Sequence, residues 1–268
     1  MAIIADMMRK AEADGYTGDN ATAKVCQDIV LKCIAESSLS RNVTIKGGVV
    51  MRGITGDSRR ATQDLDIDFI RYSLSDESID AFIRKLNNIE GVKIEREGEI
   101  TELSQQDYHG KRVFVRITDS DGYGISSKID LGVHTHLAIE QEEYCFDIGM
   151  TDDGASLLIN TKEQMFAEKL RSLLKFGAAS TRYKDIFDMY YLKDLVKYDD
   201  MLVCLNEFIL SDPGMKENRI SDIIGRMEKT FKNKAYRSRL STSDKNWLGI
   251  EIDMALEGLI AYFDQYMA

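Results

Sequence analysis

Three aspartates alternate with apolar residues in the segment Arg60-Ala61-Thr62-Gln63-Asp64-Leu65-Asp66-Ile67-Asp68-Phe69. If the segment is extended, Asp64, Asp66 and Asp68 project from one face, and Leu65, Ile67 and Phe69 from the other. The apolar face can anchor the strand in a core while the acidic face presents carboxylates that repel one another. A divalent cation would remove that repulsion, and hard oxygen ligands suit magnesium. The same pattern also suits a solvent-facing edge strand, where charge discourages pairing with other chains. Asp130 stands between apolar neighbours in Lys128-Ile129-Asp130-Leu131-Gly132-Val133, a second strand-like segment. Were the two strands adjacent, Asp130 could join Asp64 and Asp66 around one metal cluster. Two such ions can activate an attacking oxygen and neutralise a departing pyrophosphate, and the third carboxylate could accept the acceptor's proton. A plain surface aspartate is the other reading of Asp130.

Gly47-Gly48, preceded by Lys46, lies ahead of Asp64 with fifteen residues between. Glycines let backbone amides approach a phosphate, and a following helix N-terminus favours anions. A Gly-Gly pair alone is usually a turn; followed by Asp-x-Asp at this distance it is more specific. Further on, Met165, Phe166, Leu170, Leu173 and Leu174 make an apolar helical stripe bordered by Lys169. That lysine can snorkel to solvent. Arg182 with Asp185, and Lys184 with Asp188, have the spacing of ordinary helix-surface ion pairs. His134 and His136 share the alternation parity of Asp130, but no cysteine or third histidine accompanies them as a zinc site would require. Gly122-Tyr123-Gly124 has no helix after it and reads as a hairpin turn rather than a dinucleotide loop.

The elements that must position these residues change character along the chain. Val25, Ile29, Cys33 and Ile34 recur at helical spacing within Ala21–Leu39. Val49–Ile54 fits one or two helical turns, and Leu65–Ile70 a strand. Ser75–Ile89 is an amphipathic helix with Ser75 as N-cap and Gly91 as stop. A β-rich stretch follows through Val92–Glu97, Arg112–Thr118, Lys128–Val133, Tyr144–Ile148 and Leu157–Ile159, with Asp119–Gly124 as a hairpin connection. From Thr161 the pattern is helical, ending in a long helix from about Ser243 to Tyr266. The expected organisation is α+β: residues 1–160 form a mixed α/β core with N-terminal helices, and residues 161–268 a helical lobe.

Composition narrows the classes. The 268 residues, 30% of them charged and only one a proline, describe a globular chain without low-complexity segments. No apolar run approaches the ~20 residues of a membrane span, and Met1–Asp6 lacks the pattern of a signal peptide. Cys26, Cys33, Cys145 and Cys204 have no CxxC spacing and read as reduced thiols of a cytoplasmic protein. A formal net charge of −10 argues against indiscriminate nucleic-acid binding. Between Lys216 and Arg239, however, eight basic residues face three acids, which allows a local basic surface.

Gly47-Gly48 followed by Arg60-Ala61-Thr62-Gln63-Asp64-Leu65-Asp66 resembles the first motif of the AbiEii/AbiGii nucleotidyltransferase toxins of abortive-infection systems. Glu163–Arg171 and Arg182–Tyr190 extend the resemblance, which runs roughly from Thr44 to Leu195. It implies a polymerase-β-like nucleotidyltransferase core with a helical C-terminal region. It also implies magnesium or manganese as cofactor, a nucleoside triphosphate as substrate and a cognate antitoxin as possible partner. Characterised relatives act as toxins of toxin–antitoxin pairs, and some add nucleotides, often pyrimidines, to the 3′ acceptor end of transfer RNA and so stop translation. Carried over, Asp64 and Asp66 are the metal pair and Asp130 the third carboxylate, with Asp66/Asp68 as the competing pair. Lys46, Gly47, Gly48, Arg60, Thr62 and Lys169 are the implied nucleotide contacts, and Asp185 orients Lys169 or an arginine. In some relatives the hydroxyl at the position of Thr62 is phosphorylated, which would set negative charge beside the carboxylates. The wider superfamily often has Gly-Ser where this chain has Gly47-Gly48, so Gly48 must act through its backbone. Two other readings stand beside this one: a nucleotidyltransferase acting on a small-molecule or protein hydroxyl, and a non-catalytic binding module.

Overall fold

The computed structural model describes residues 3–103, 110–136 and 138–267. Among them are seven strands and ten α-helices, an α+β arrangement divided into two compact units, Met1–Asn160 and Thr161–Ala268. The first unit runs α1 (Ile3–Ala13), α2 (Asp19–Ala35), β1 (Val43–Lys46), α3 (Gly47–Thr55), β2 (Leu65–Phe69), α4 (Asp76–Lys85), β3 (Val92–Leu103), β4 (Gly110–Asp119), β5 (Gly124–Val133), β6 (Glu142–Phe146) and β7 (Ala155–Ile159). The second unit holds α5 (Lys162–Phe176), α6 (Tyr183–Leu192), α7 (Tyr198–Leu205), α8 (Ile220–Phe231), α9 (Lys234–Thr242) and α10 (Ile252–Asp264).

All seven strands form one mixed sheet in the order β3-β4-β5-β2-β1-β7-β6. β2 is parallel to β5, β1 is parallel to β7, and the other neighbours are antiparallel. Alternation gives the central strands one apolar face: Ile45, Ile67, Phe69, Val113, Val115, Ile117, Ile129 and Leu131 are buried. α2 contributes to the core on nearly every side, with Val25, Cys26, Ile29, Val30, Leu31, Cys33 and Ile34 all buried. A helix apolar all round is one enclosed by its own fold. Burying each of its large aliphatic side chains contributes roughly 1.5–3 kcal/mol. Phe82 of α4 meets Phe69 edge-on at 5.2 Å, which ties that helix to the same face of the sheet.

Local signals explain most boundaries. Ser75 caps α4 by accepting from the Ser78 amide at 3.3 Å. In the hairpin between β4 and β5, Asp119 Oδ1 accepts from the amides of Asp121 and Tyr123 at 3.1 and 3.0 Å, and Gly122 takes φ +82. The expected terminal helix from Ser243 is shorter: α9 ends at Thr242, and α10 begins only at Ile252. The intervening Asn246 turns the chain by accepting from Gly249 N at 3.0 Å and donating to Ile250 O at 2.8 Å. α2 likewise stops at Ala35 rather than Leu39.

In the second unit, Thr161 caps α5, accepting from the Gln164 amide at 3.2 Å. Asp188 on α6 is fully buried rather than at the helix surface. Its Oδ1 accepts from Trp247 Nε1 at 3.0 Å, and its Oδ2 lies 2.9 Å from Lys169 Nζ. Removing one member of a buried, hydrogen-bonded ion pair leaves the other charge uncompensated. Asp188→Ala should therefore lower unfolding free energy by about 3–5 kcal/mol, read from urea denaturation, and Asp188→Asn should lose less because the indole keeps an acceptor. An unchanged midpoint in both variants would remove Asp188 from the core's polar framework.

Candidate active site

Register brings the aspartates together. Asp66 of β2 is the direct partner of Asp130 on the parallel neighbour β5, and of Lys46 on the antiparallel neighbour β1. Across the hairpin Asp130 faces Arg112 of β4, whose Nε and Nη2 donate to its two carboxylate oxygens, each at 2.7 Å. Lys46 Nζ sits 2.7 Å from Asp68 Oδ1, and Lys128 Nζ sits 2.7 Å from Asp64 Oδ1. One face of the sheet thus carries Asp64, Asp66, Asp68 and Asp130 interleaved with Lys46, Lys128 and Arg112.

The positions differ in character. Asp68 is buried, and its charge is met by the buried Lys46. Asp64, just before β2, is open to solvent over about half of its side chain. Asp66 lies between them. Burial pushes its carboxyl up to about 6; Lys46 opposes the rise, and Asp130, Asp64 and Asp68 add to it. Its neighbours make it a carboxylate that gains from a nearby cation.

The glycine pair is explained first by sterics. Gly47 has φ +67, and a Cβ built on it would stand 2.5 Å from Oδ2 of Asp66. A Cβ on Gly48 would meet Oγ1, Cβ and Cγ2 of Thr62 at 2.5, 2.7 and 3.0 Å. The first turn of α3 is therefore packed directly against the acidic segment, and only glycine leaves room for Asp66 and Thr62. The amides at this helix start lie beside the carboxylates, where a phosphate would meet both the helix dipole and any ion held there.

The loop before β2 is fixed from behind by a buried polar network that sequence reading missed. Gln27 Nε2 on α2 donates to the carbonyl oxygens of Thr62 and Asp64 at 3.0 and 3.3 Å. Gln27 Oε1 accepts from Arg52 of α3, and Arg52 Nη2 also donates to Asp28 Oδ1 at 3.3 Å. Asp28 Oδ2 in turn accepts from the Gly149 amide at 2.8 Å and pairs with Lys24. Gln27, Asp28 and Arg52 are all buried. Polar residues on one helix that satisfy loop carbonyls hold those carbonyls in a single geometry, because an unmet buried acceptor costs about 1–3 kcal/mol.

Arg60 is buried at the end of a short 3-10 turn, Ser58–Arg60. Lys169 and Asp185 belong to the second unit, where Lys169 Nζ lies 3.0 Å from Asp185 Oδ1. The basic segment is partly structural: Arg226 donates to Leu174 O at 3.0 Å, and Arg239 to Tyr183 Oη at 3.0 Å and to Ala178 O at 2.5 Å. Arg219, Lys232 and Arg237 pair with Asp222, Glu228 and Asp253. His134 Nε2 lies 3.1 Å from His136 O and 2.8 Å from Gln141 Nε2.

Among the described residues, no three His, Cys, Asp or Glu side chains close into a preformed metal cage. Asp64, Asp68 and Asp130 turn toward Lys128, Lys46 and Arg112 instead. The donor set nonetheless fits a hard divalent cation. It offers oxygen ligands only, two of them side by side in register, and Asp66 has a proton affinity raised chiefly by burial, with the neighbouring carboxylates adding to it.

The model of the family described as nucleotidyl transferase AbiEii toxin, Type IV TA system, matches residues 29–267. No curated protein matches the chain. Among solved structures, a crystal structure of an antigenic nucleotidyltransferase-like protein from Paracoccidioides brasiliensis is similar over 81% of this chain and 93% of that one, at 14% identity and a TM-score of 0.47. No helix of the described residues is long and apolar enough to cross a membrane.

Two outcomes follow from the packing and charge of the site. A carboxyl whose folded pKa is about 6, against 3.8 ordinarily, binds its proton more tightly in the native state. Its contribution therefore falls as pH rises from about 4 through 6 and stays unfavourable above that. In EDTA at pH 8, Asp66→Asn should be more stable than the parent by about 1–3 kcal/mol, with the difference gone at pH 3.5; equal stability at pH 8 would contradict the crowding. Gly48→Ala should cost about 1–3 kcal/mol by overpacking and recover most of it when combined with Thr62→Gly, as a double-mutant cycle would register.

Proposed function

The chain belongs to the AbiEii nucleotidyl transferase toxin family of Type IV toxin–antitoxin systems. From that premise we propose that it transfers a nucleotidyl group from a nucleoside triphosphate to the 3′ hydroxyl of an RNA, transfer RNA being the favoured acceptor, and so blocks translation. The observation that carries the reading is the in-register pair Asp66 and Asp130, set on adjacent parallel strands beside the glycine start of α3.

In this reaction the acceptor oxygen attacks the α-phosphorus, the bond to the β-phosphate bridging oxygen breaks, and pyrophosphate leaves with the displaced electron pair. Asp64, Asp66 and Asp130 would hold the divalent cations, magnesium or manganese, and Asp130 would take the proton of the attacking hydroxyl. The bound cations supply charge neutralisation and activation of the attacking oxygen. The backbone at Gly47 and Gly48 receives the triphosphate at the helix start, with Lys46, Arg60 and Thr62 around it. Arg112 keeps Asp130 in position through its two-point contact. Asp64 rather than Asp68 is assigned to the metal pair, because Asp68 is buried against Lys46 whereas Asp64 is about half open to solvent. Catalysis then rests on positioning and charge stabilisation. A cognate antitoxin is the expected protein partner.

The purified protein incubated with labelled nucleoside triphosphates, magnesium and total RNA should label RNA, and Asp66→Ala should abolish the label while circular dichroism stays unchanged. Label on a small molecule or a protein would move the acceptor to another hydroxyl. Absence of any label together with absence of metal affinity would leave a binding module.

A further inference from the structure

The β3-β4-β5 end of the sheet buries only one of its faces. Along β4, Val113, Val115 and Ile117 are fully buried, while Arg112, Phe114 and Arg116 point the other way. On that second face β3 contributes Lys93, Glu95 and Glu97, and β5 contributes Ser126 and Lys128. Phe114 is the single large apolar side chain among these polar ones, and it is 43% exposed. Its place is specific. Lys128, its cross-strand partner, holds Asp64, and Arg112, two residues away on the same face, holds Asp130. Neighbouring strands stand about 4.8 Å apart and alternate residues about 7 Å apart, so Phe114 stands roughly 8–10 Å from Asp130 and Asp64 along the backbone, with Arg112 and Lys128 between. Arg116, two residues further along, is exposed and has no ion pair among the described residues. Glu95 on β3 is the acid directly across from Arg116 and is engaged by Lys93 at 2.8 Å, while Glu97 is the one across from Phe114.

The geometry points to Phe114 and Arg116 as the docking platform for the single-stranded 3′ end of the acceptor RNA, the ring stacking on a base and the guanidinium meeting a backbone phosphate. This inference rests on the nucleotidyl-transfer reading. Its side of the sheet distinguishes acceptor from donor. The Gly47–Gly48 helix start assigned to the triphosphate follows β1, on one flank of β2, whereas β5 and β4 lie on the opposite flank. Asp130, the group assigned to the acceptor's proton, is on that opposite flank too. An aromatic face offers stacking to any base, and an adjacent arginine offers charge to the phosphate that follows, which is the usual chemistry of single-strand recognition.

The test measures binding of a fluorescein-labelled single-stranded RNA octamer to the full chain with magnesium and no triphosphate, alongside binding of each nucleoside triphosphate alone. Phe114→Ala should weaken octamer binding about tenfold, Phe114→Trp should preserve it, and triphosphate binding should not change. Arg116→Ala should reduce the slope of log affinity against log salt by about 0.7, one phosphate on a single strand. Blunt duplex RNA should compete poorly. The platform is overturned if the parent binds no octamer, if Phe114→Ala binds it unchanged, or if duplex competes equally. Loss of triphosphate binding in Phe114→Ala would overturn it by giving the ring to the donor base. A changed oligomeric state with octamer binding intact would overturn it by giving the ring to a contact between copies. If the parent labels RNA yet Phe114→Ala keeps the same KM for acceptor, the platform fails alone; if the parent labels no acceptor at all, the nucleotidyl-transfer reading fails with it.

Discussion

Two carboxylates side by side on parallel strands, with two more on the same face, form an arrangement that the fold must actively restrain. Burial penalises the charged form and like charges at this spacing add to the penalty, as the raised proton affinity of Asp66 reports. The first unit meets the problem with cations from three directions: Lys46 from β1, Lys128 from β5 and Arg112 from β4. Each is delivered by a strand adjacent to a carboxylate, so sheet order and charge balance are one constraint. A sheet that slipped by a single residue on any of these strands would turn these groups to the apolar face.

The same constraint accounts for the glycines and the buried network. α3 starts so close to β2 that no side chain fits at residues 47 and 48, and that closeness brings helix amides to the carboxylates. Holding the loop 61–64 in this narrow space falls to Gln27, whose amide satisfies two of its carbonyls, and to Arg52, which locks Gln27 against Asp28. Electrostatic preorganisation of this kind lets charged groups act without reorganising at the moment of reaction. The open face beyond β5 is organised differently. There polar side chains surround one exposed ring, and nothing in the core requires an aromatic at residue 114.

Within the second unit, Lys169 is held between Asp185 and the buried Asp188, with Trp247 behind it. Spacing on α6 suggested only surface pairs, because a helix sequence shows which residues are near one another locally and not which helix covers them. The basic run at 216–239 shows the same limit. Arg226 and Arg239 bond backbone carbonyls, and several of the rest meet acids, so a count of charges overstated the free basic surface.

The sequence by itself determined the local elements and the sidedness of the site. Period-two alternation made residues 65–69 a strand with its aspartates on one face, serine and glycine signals bounded α4, and the Asp119–Gly124 turn fixed a hairpin. That turn even held an unread signal: six residues back from Thr118 is Arg112, and six beyond Gly124 is Asp130, which the hairpin must therefore pair. Only the tertiary structure decided that β2 lies against β5 in parallel, since strands separated by sixty residues carry no local record of their neighbour. It also decided that Gln27, Arg52 and Lys128 serve the acidic segment, and that Asp188 is buried. Those contacts join distant parts of the chain, and their energies arise only when burial removes the water that would otherwise satisfy each group.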